Sequence, residues 1–315
     1  MKIRRYTDVD DAALIALERQ CPRGAPEPFV HYRPRFAGRA ALFRRYFLLL
    51  IEIQGQVVAV AAAGIKETEI QGQARRLAYI FDVRVAPVMR RQGLASILVK
   101  AVHDELLEMD CDGAYAHIVA TNRASLTLFR RMGYQRRRQL RYLTYQPMPL
   151  FLGEPIPVIR HSNALDLSSS IYTTYDLFVD DVATSLIPYD FERWVTHNEE
   201  ASISLYDQSL IFQQYPAYER WPTPAEISRR GGHWRLFHPE GDFKKLESLF
   251  AAIRDQAVSE NINKLSMLVD VEEPIPSFFF AETSAQREYV VVTCAFKASW
   301  NGFFGARFYS DSREL

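Results

Sequence analysis

The run DVRVAPVMRRQGLASIL, residues 82–98, has residue types and spacing suited to holding an anion. It passes from alternating apolar residues into helical spacing through Arg90, Arg91, Gln92 and Gly93. The unpaired N–H groups of a helix N-terminus therefore face whatever lies above that loop. Gly93 lets a ligand approach the main chain, small Ala95 keeps the first turn open, and Arg90 and Arg91 add positive charge beside the helix dipole. A pyrophosphate suits all three features. Neither GxxxxGK[ST] nor GxGxxG is present, which argues against ATP and NAD.

The elements that must position this loop follow from hydrophobic period. A short strand from Ile3, a helix over Asp10–Arg19, a loop with Pro22, Gly24, Pro26 and Pro28, and a basic helical stretch over Arg35–Tyr46 come first. Three apolar runs, Tyr46–Gln54, Gln56–Ile65 and Arg75–Val85, are separated by Gly55 and a polar turn at Gln71–Gln73, the pattern of an antiparallel meander. After Pro87 the period changes to 3.6, with Leu94, Ile97, Leu98, Ala101, Val102 and Leu106 on one face of a helix that stops near Gly113. A strand (Ala114–Ala120), a helix (Ser125–Met132) and a strand (Tyr134–Tyr145) complete this half. Successive prolines in QPMPLFLGEPIP, residues 146–157, disfavour helix and central strand and mark a boundary between domains 1–147 and 158–315. Beyond it the pattern predicts strands at Ala201–Gln214, Lys264–Val271 and Glu288–Lys297 and a helix over Phe243–Ser259.

The order VxVxPxxRxxGxA (Val83, Val85, Pro87, Arg90, Gly93, Ala95), then a helix, a strand and NRASLTLFRRMGY (Asn122–Tyr134), resembles the GNAT superfamily of acyl-CoA-dependent N-acyltransferases over about residues 3–146. The resemblance implies an α/β fold of α+β type: a mixed, mostly antiparallel sheet flanked by helices, with acetyl-CoA as co-substrate. It implies that the amides of Arg91, Gln92, Gly93, Leu94, Ala95 and Ser96 hold the coenzyme pyrophosphate beside Arg90. Val83, Arg84 and Val85 would lend main-chain hydrogen bonds to the pantetheine arm and the thioester oxygen. Asn122 would bond that arm where the strands splay apart, between Arg84 and Val119; it is equally a natural helix N-cap. Phe129 would pack against the coenzyme, but it stands where the family frequently has a proton-donating tyrosine, which leaves water or Tyr134 for that role.

For the general base the resemblance points to His117, five residues before Asn122, where some family members acting on protein N-termini carry a glutamate. An imidazole with an ordinary pKa near ~6.5 suits proton abstraction around neutrality. The alternative is a half-buried strand histidine satisfied by a neighbour. Asp82 is the second candidate base, against a role in orienting Arg84 or binding the substrate amine; Glu67 and Glu69 are third.

The chain has 315 residues, 48% apolar and 24% charged, enough for a packed core. Net charge is zero, yet residues 1–150 hold 24 Lys and Arg against 14 Asp and Glu, with the reverse in residues 151–315. Two mutually complementary halves, or a basic half that attracts a polyanion, both explain this. No nucleic-acid module, membrane span or apolar leader follows from the pattern, so a cytoplasmic protein is expected. Cys21, Cys111 and Cys294 form no framework, and His233 and His238 fall on opposite strand faces, so no metal is expected. The second half faintly repeats the helix and strand order of the first, as a degenerate GNAT-like copy. Its HPEGDFKK loop carries Glu240 and Asp242, which repel pyrophosphate, so one coenzyme site is expected. This half is expected to wall the acceptor cleft or to make a homodimer contact, using Trp194, Tyr206, Phe212, Trp221 and Trp234, whose other reading is core. The function expected is N-acetyltransfer to a primary amine of an unnamed acceptor by direct attack. A coenzyme-A-binding regulatory or scaffold protein without turnover is the alternative.

Overall fold

The apolar pattern predicts six strands over the first half, and the computed structural model shows how strands of the second half complete their sheet. It describes residues 1–24, 28–148, 157–162, 175–177, 191–217, 220–229, 231–305 and 307. In chain order these form β1 (Lys2–Arg5), α1 (Asp11–Arg19), β2 (Phe29–Tyr32), β3 (Arg45–Ile53), β4 (Gln56–Ile70) and β5 (Gln73–Val85). Then come α2 (Leu94–Glu108), β6 (Gly113–Val119), α3 (Arg123–Arg131), β7 (Gln135–Tyr145), β8 (Val158–Ser162), β9 (Phe191–Thr196), β10 (Ala201–Asp207) and β11 (Gln213–Pro216). The chain ends in α4 (Pro224–Arg229), β12 (Gly232–Gly241), α5 (Phe243–Ser259), β13 (Ile262–Asp270), α6 (Phe278–Ala281) and β14 (Ala285–Ala295).

Twelve strands make one sheet in the order β1-β3-β4-β5-β6-β14-β7-β13-β12-β10-β9-β8, and β2 pairs with β11 in a small second sheet. Among the described residues, only β5 with β6 and β12 with β13 are parallel. Read from either edge, the order runs through equivalent strands, so the second half repeats the first. The two final strands are exchanged: β7 pairs with β13 of the second half, and β14 inserts between β6 and β7 of the first. The repeat extends to a detail. Pairing of β4 with β5 skips a residue between Val60 and Ala62, opposite Asp82, and pairing of β10 with β12 skips one between Ser202 and Ser204, opposite His238.

On α2, Leu94, Leu98, Val102 and Leu106 are buried at four-residue spacing, each contributing roughly 1.5–3 kcal/mol. They join a core that includes the buried alanines of β4. A second core packs Leu143, Tyr145, Trp234, Leu236, Leu265 and Met267 against α5 through Leu246, Leu249, Phe250 and Ile253. The opposite sheet face is polar and aromatic. It runs from Tyr79 to His117, whose rings lie 5.1 Å apart, through Tyr289 and Tyr142, 6.5 Å apart, to Arg235.

Two sequence expectations are corrected. The basic stretch Arg35–Tyr46 is not a helix: two short 3-10 turns, Phe36–Gly38 and Ala40–Leu42, precede β3 at Arg45. Its apolar residues Phe36, Ala37, Leu42 and Phe43 are buried by an irregular path instead of a helical stripe. The predicted strand over 201–214 is broken at Gln208–Leu210, so that its end, β11, turns away to pair with β2. The proline-rich segment lies mostly outside the described residues. No helix among the described residues is long and apolar enough to cross a membrane.

Candidate coenzyme and acceptor site

Strands β5 and β6 pair only over Leu77–Tyr79 with Gly113–Tyr115. Past Tyr79 they part, although β5 continues to Val85 and β6 to Val119. Val83 and Val85, both half-buried, lie on the part of β5 that has left β6. Arg84 faces elsewhere: its side chain is buried and bonded to Glu18 and Asp82, leaving only its main chain for a ligand in the slot between the strands.

Beyond Val85 a 3-10 turn at Pro87–Met89 leads into an exposed bend, and Gly93 caps α2 with a left-handed φ of +79°. A Cβ built there meets nothing within 4 Å, so the glycine leaves open space above the helix end. Among the described residues, the N–H groups from Arg91 to Ser96 have no hydrogen-bond acceptor, and the first helical bond is Ile97 N–H to the Gly93 carbonyl at 3.1 Å. Six consecutive amides at a helix N-terminus with free space above them fit a diphosphate. Arg90 and Arg91 are exposed beside them, Arg90 donating to the Val85 carbonyl.

Across the slot, Asn122 caps α3, its Oδ1 accepting from the Ser125 amide at 3.1 Å. Phe129 is buried edge-to-face on Tyr134, with centroids 4.8 Å apart. Tyr134 Oη lies 2.8 Å from His103 Nε2. Burial pushes the Tyr134 hydroxyl well above its ordinary value, which makes it a poorer acid. His117 is half-buried on β6 opposite Val291, beside Tyr79 and Tyr115.

Asp82, at the β5 bulge with a φ of +53°, is the hub of a buried charge cluster. Arg33 reaches it with two bonds, of 2.6 and 3.1 Å, Arg23 with one of 2.9 Å, and Arg84 lies 2.8 Å away. Arg33 and Arg84 also meet Glu18 of α1, at 3.0 and 2.6 Å. Burial alone would raise the Asp82 pKa, but Arg33, Arg84 and Arg23 outweigh it and hold the carboxyl well below the usual range. Burial, reinforced by Arg23, Arg33 and Arg84, pushes His31 well below its ordinary value, so it is neutral there. These surroundings run against a base role for Asp82, because its proton affinity is too low at neutral pH. They match the alternative reading, in which it orients Arg84.

Reasoning from sequence missed Glu18, His31, Arg33 and Arg39 as neighbours of the slot. Arg33 lies 49 residues from Asp82 in an irregular segment, where no period signals which way a side chain points. Of the aromatics assigned to cleft or core, Trp194 and Trp234 are core, whereas Tyr206 and Phe212 form a small cluster with Leu42 and Phe237. Trp221 lies beneath the Arg19 guanidinium. His233 bonds Ser266, with Nε2 and Oγ 2.7 Å apart, and is not joined to His238.

Comparisons agree with this geometry. The model of the Acetyltransferase (GNAT) family matches residues 12–134. A tandem GNAT protein from the clavulanic acid biosynthesis pathway is 11% identical, with 93% of this chain and 98% of that one covered at a TM-score of 0.60. A putative acetyltransferase from Pyrococcus horikoshii is 12% identical, with 99% and 95% covered at 0.58. Saccharomyces cerevisiae N-myristoyltransferase with bound myristoyl-CoA is 11% identical, with 94% and 79% covered at 0.64. Among curated proteins, none matches the chain in sequence. The parted strands, the amide-lined bend and the family match together identify residues 12–134 as a domain of the GNAT acetyltransferase family.

Proposed function

We propose that the chain is an acetyl-CoA-dependent N-acetyltransferase, cytoplasmic, that passes the acetyl group to a primary amine by direct attack. The observation that carries this is the free amide run of Arg91–Ser96, set at the mouth of the slot between β5 and β6. Those amides would hold the coenzyme diphosphate, and Val83 and Val85 would offer main-chain bonds along the slot. A main-chain N–H at Val83 aimed at the thioester oxygen would stabilise the charge that develops there by roughly 3 kcal/mol. His117 would take the proton of the attacking amine, directly or through one water. Asp82 is proposed to position Arg84 and Arg33, and water to protonate the departing thiolate. The domains 1–147 and 158–315 are proposed to act as one unit, since each supplies a strand to the other's side of the sheet.

One observation favours a second reading, a coenzyme-binding protein without turnover: Phe129 has no proton to donate, and Tyr134 is engaged with His103. Titration calorimetry with acetyl-CoA, followed by a thiol-release assay over a broad amine panel, separates the two. Binding with release supports transfer, and binding without release for every amine supports the alternative. No binding at millimolar acetyl-CoA removes both.

A further inference from the structure

Six arginines are buried among the described residues, and five of them face a carboxylate. Arg33, Arg39 and Arg84 meet Asp82, Arg138 meets Asp270, and Arg254 meets Glu282. Arg235, on β12, is the exception. It is 1% exposed, its Nε, Nη1 and Nη2 have no hydrogen-bond partner, and it enters no ion pair among the described residues. A buried guanidinium without a counter-charge is among the costliest arrangements in a protein interior, and a ligand that supplies the charge relieves it.

Its neighbours sharpen the point. The Arg235 guanidinium lies 5.0 Å from the centre of the Tyr142 ring, and the Lys264 ammonium 5.9 Å from the same ring. Arg287 stands opposite Tyr142 in the pairing of β14 with β7. The positive field is felt by Tyr142 itself: burial would raise its pKa, yet Lys264 and Arg235 bring it below the ordinary value. The small sheet covers this region, with Phe29 of β2 beneath Arg287 at 4.9 Å and Gln214 of β11 accepting from Lys264 at 3.0 Å.

The place relative to the slot sets a length. Val119, at the end of the slot, is opposite Tyr289, and Tyr289 leads to Tyr142 one strand further on and two residues along. By strand spacing and rise that is about 12 Å, the length of roughly three extended residues. We propose that Arg235, with Lys264 and Arg287, binds an anionic group, carboxylate or phosphate, at the end of the acceptor remote from the amine that is acetylated. The acceptor is then an elongated amine of about tripeptide length with a distal anion, a class that excludes free α-amino acids, whose two charges are adjacent. This rests on the transferase reading above.

The test compares triglycine, its C-terminal amide and an aminoalkyl phosphate of matched length as acceptors for the full chain. At least one charged acceptor is expected to exceed the amide about tenfold in kcat/KM, and whichever anion leads names the source. Arg235→Gln is expected to abolish that preference mainly through KM, with acetyl-CoA affinity unchanged. Lys264→Gln, at a half-buried site, gives a smaller loss and serves if the first variant does not fold. Equal kcat/KM for charged and amide acceptors, or a preference retained in Arg235→Gln, overturns the proposal. If no amine is turned over, the transferase reading fails separately. Calorimetric binding of triglycine and inorganic phosphate then decides, with at least tenfold weakening in Arg235→Gln expected and equal binding overturning it. Arg235→Met is further expected to raise Tm, since it removes an unpaired charge, whereas a purely structural arginine would lower it.

Discussion

His238 occupies in the second half the place that Asp82 occupies in the first: each has a left-handed φ, +49° and +53°, opposite a one-residue skip in the neighbouring strand. The next residue is Val83 in one copy and Pro239 in the other. Proline has no N–H, so the second bulge lacks the donor proposed for the thioester oxygen. The following bend differs as well. Asp242 caps α5 with its own carboxylate, which takes the amides of Lys244 and Lys245, whereas the amides after Gly93 are free. A Cβ at Gly241 would come within 2.0 Å of the Glu200 carbonyl, so that bend is filled by backbone where the Gly93 bend is open. The expected outcome is one acetyl-CoA per chain by titration calorimetry; a stoichiometry near two refutes the reading.

Gly93→Val tests the open bend directly. The positive φ costs a β-branched residue about 1–2 kcal/mol, and the new side chain occupies the space above the α2 amides. Acetyl-CoA affinity is expected to fall at least tenfold while the chain remains folded, with urea unfolding and calorimetry as the two readouts. Unchanged affinity removes the bend from the site.

Strand exchange makes a third prediction. In residues 1–147 alone, β6 and β7 lose the strand between them, which leaves unpaired edges and removes the buried Val291 and Val292 from the core. This fragment is expected to lack a cooperative thermal transition, and a peptide of residues 285–297 added to it to restore one. A fragment that melts cooperatively without the peptide contradicts the prediction.

Much of the first half was legible because its signals are local. The meander over β3 to β5, the 3.6 period of α2 and the cap at Asn122 each depend on neighbours a few residues away, and sequence patterning reports such neighbours. The place of β14 was not legible. Its apolar run reads as a strand, but nothing in Glu288–Lys297 says that it pairs with β6, some 170 residues earlier. The Asp82 cluster was hidden for a related reason: Arg23 and Arg33 come from irregular segments, and their pairing is set by tertiary approach. In Arg35–Tyr46, helical composition was overridden by burial of Phe36 and Phe43 on an irregular path. The unpaired Arg235 carries no sequence signal, because a strand arginine is ordinarily solvated.

Asp82→Asn should report on architecture. Removing the carboxylate leaves Arg33 and Arg84 short of a counter-charge, a loss of about 3–5 kcal/mol at pH 7. The native pKa lies below the unfolded value of about 3.9, so the stabilisation is complete above that value and is lost only as pH falls through the native one. The difference between variant and parent in urea unfolding is therefore expected to be constant from about pH 5 to 8. A difference that already shrinks near pH 6 would show that the carboxylate is not held as described.

His117 is the last group to test, and the decision turns on its surroundings. It sits on β6 where that strand has already left β5, two residues before Val119, with the rings of Tyr79 and Tyr115 against it. Position alone does not separate a base from a ring packed between aromatics, but the two roles predict different kinetics. A base replaced by alanine costs about 10²-fold or more in kcat and flattens the rise of kcat across the imidazole range, while acetyl-CoA still binds. A packing residue replaced by alanine instead lowers Tm and leaves the pH profile of the surviving activity intact. His117→Gln, close in shape but unable to take the proton, sharpens the comparison: it should restore stability without restoring turnover. Activity retained in His117→Gln with the same pH dependence would remove His117 from the mechanism and leave the proton to water.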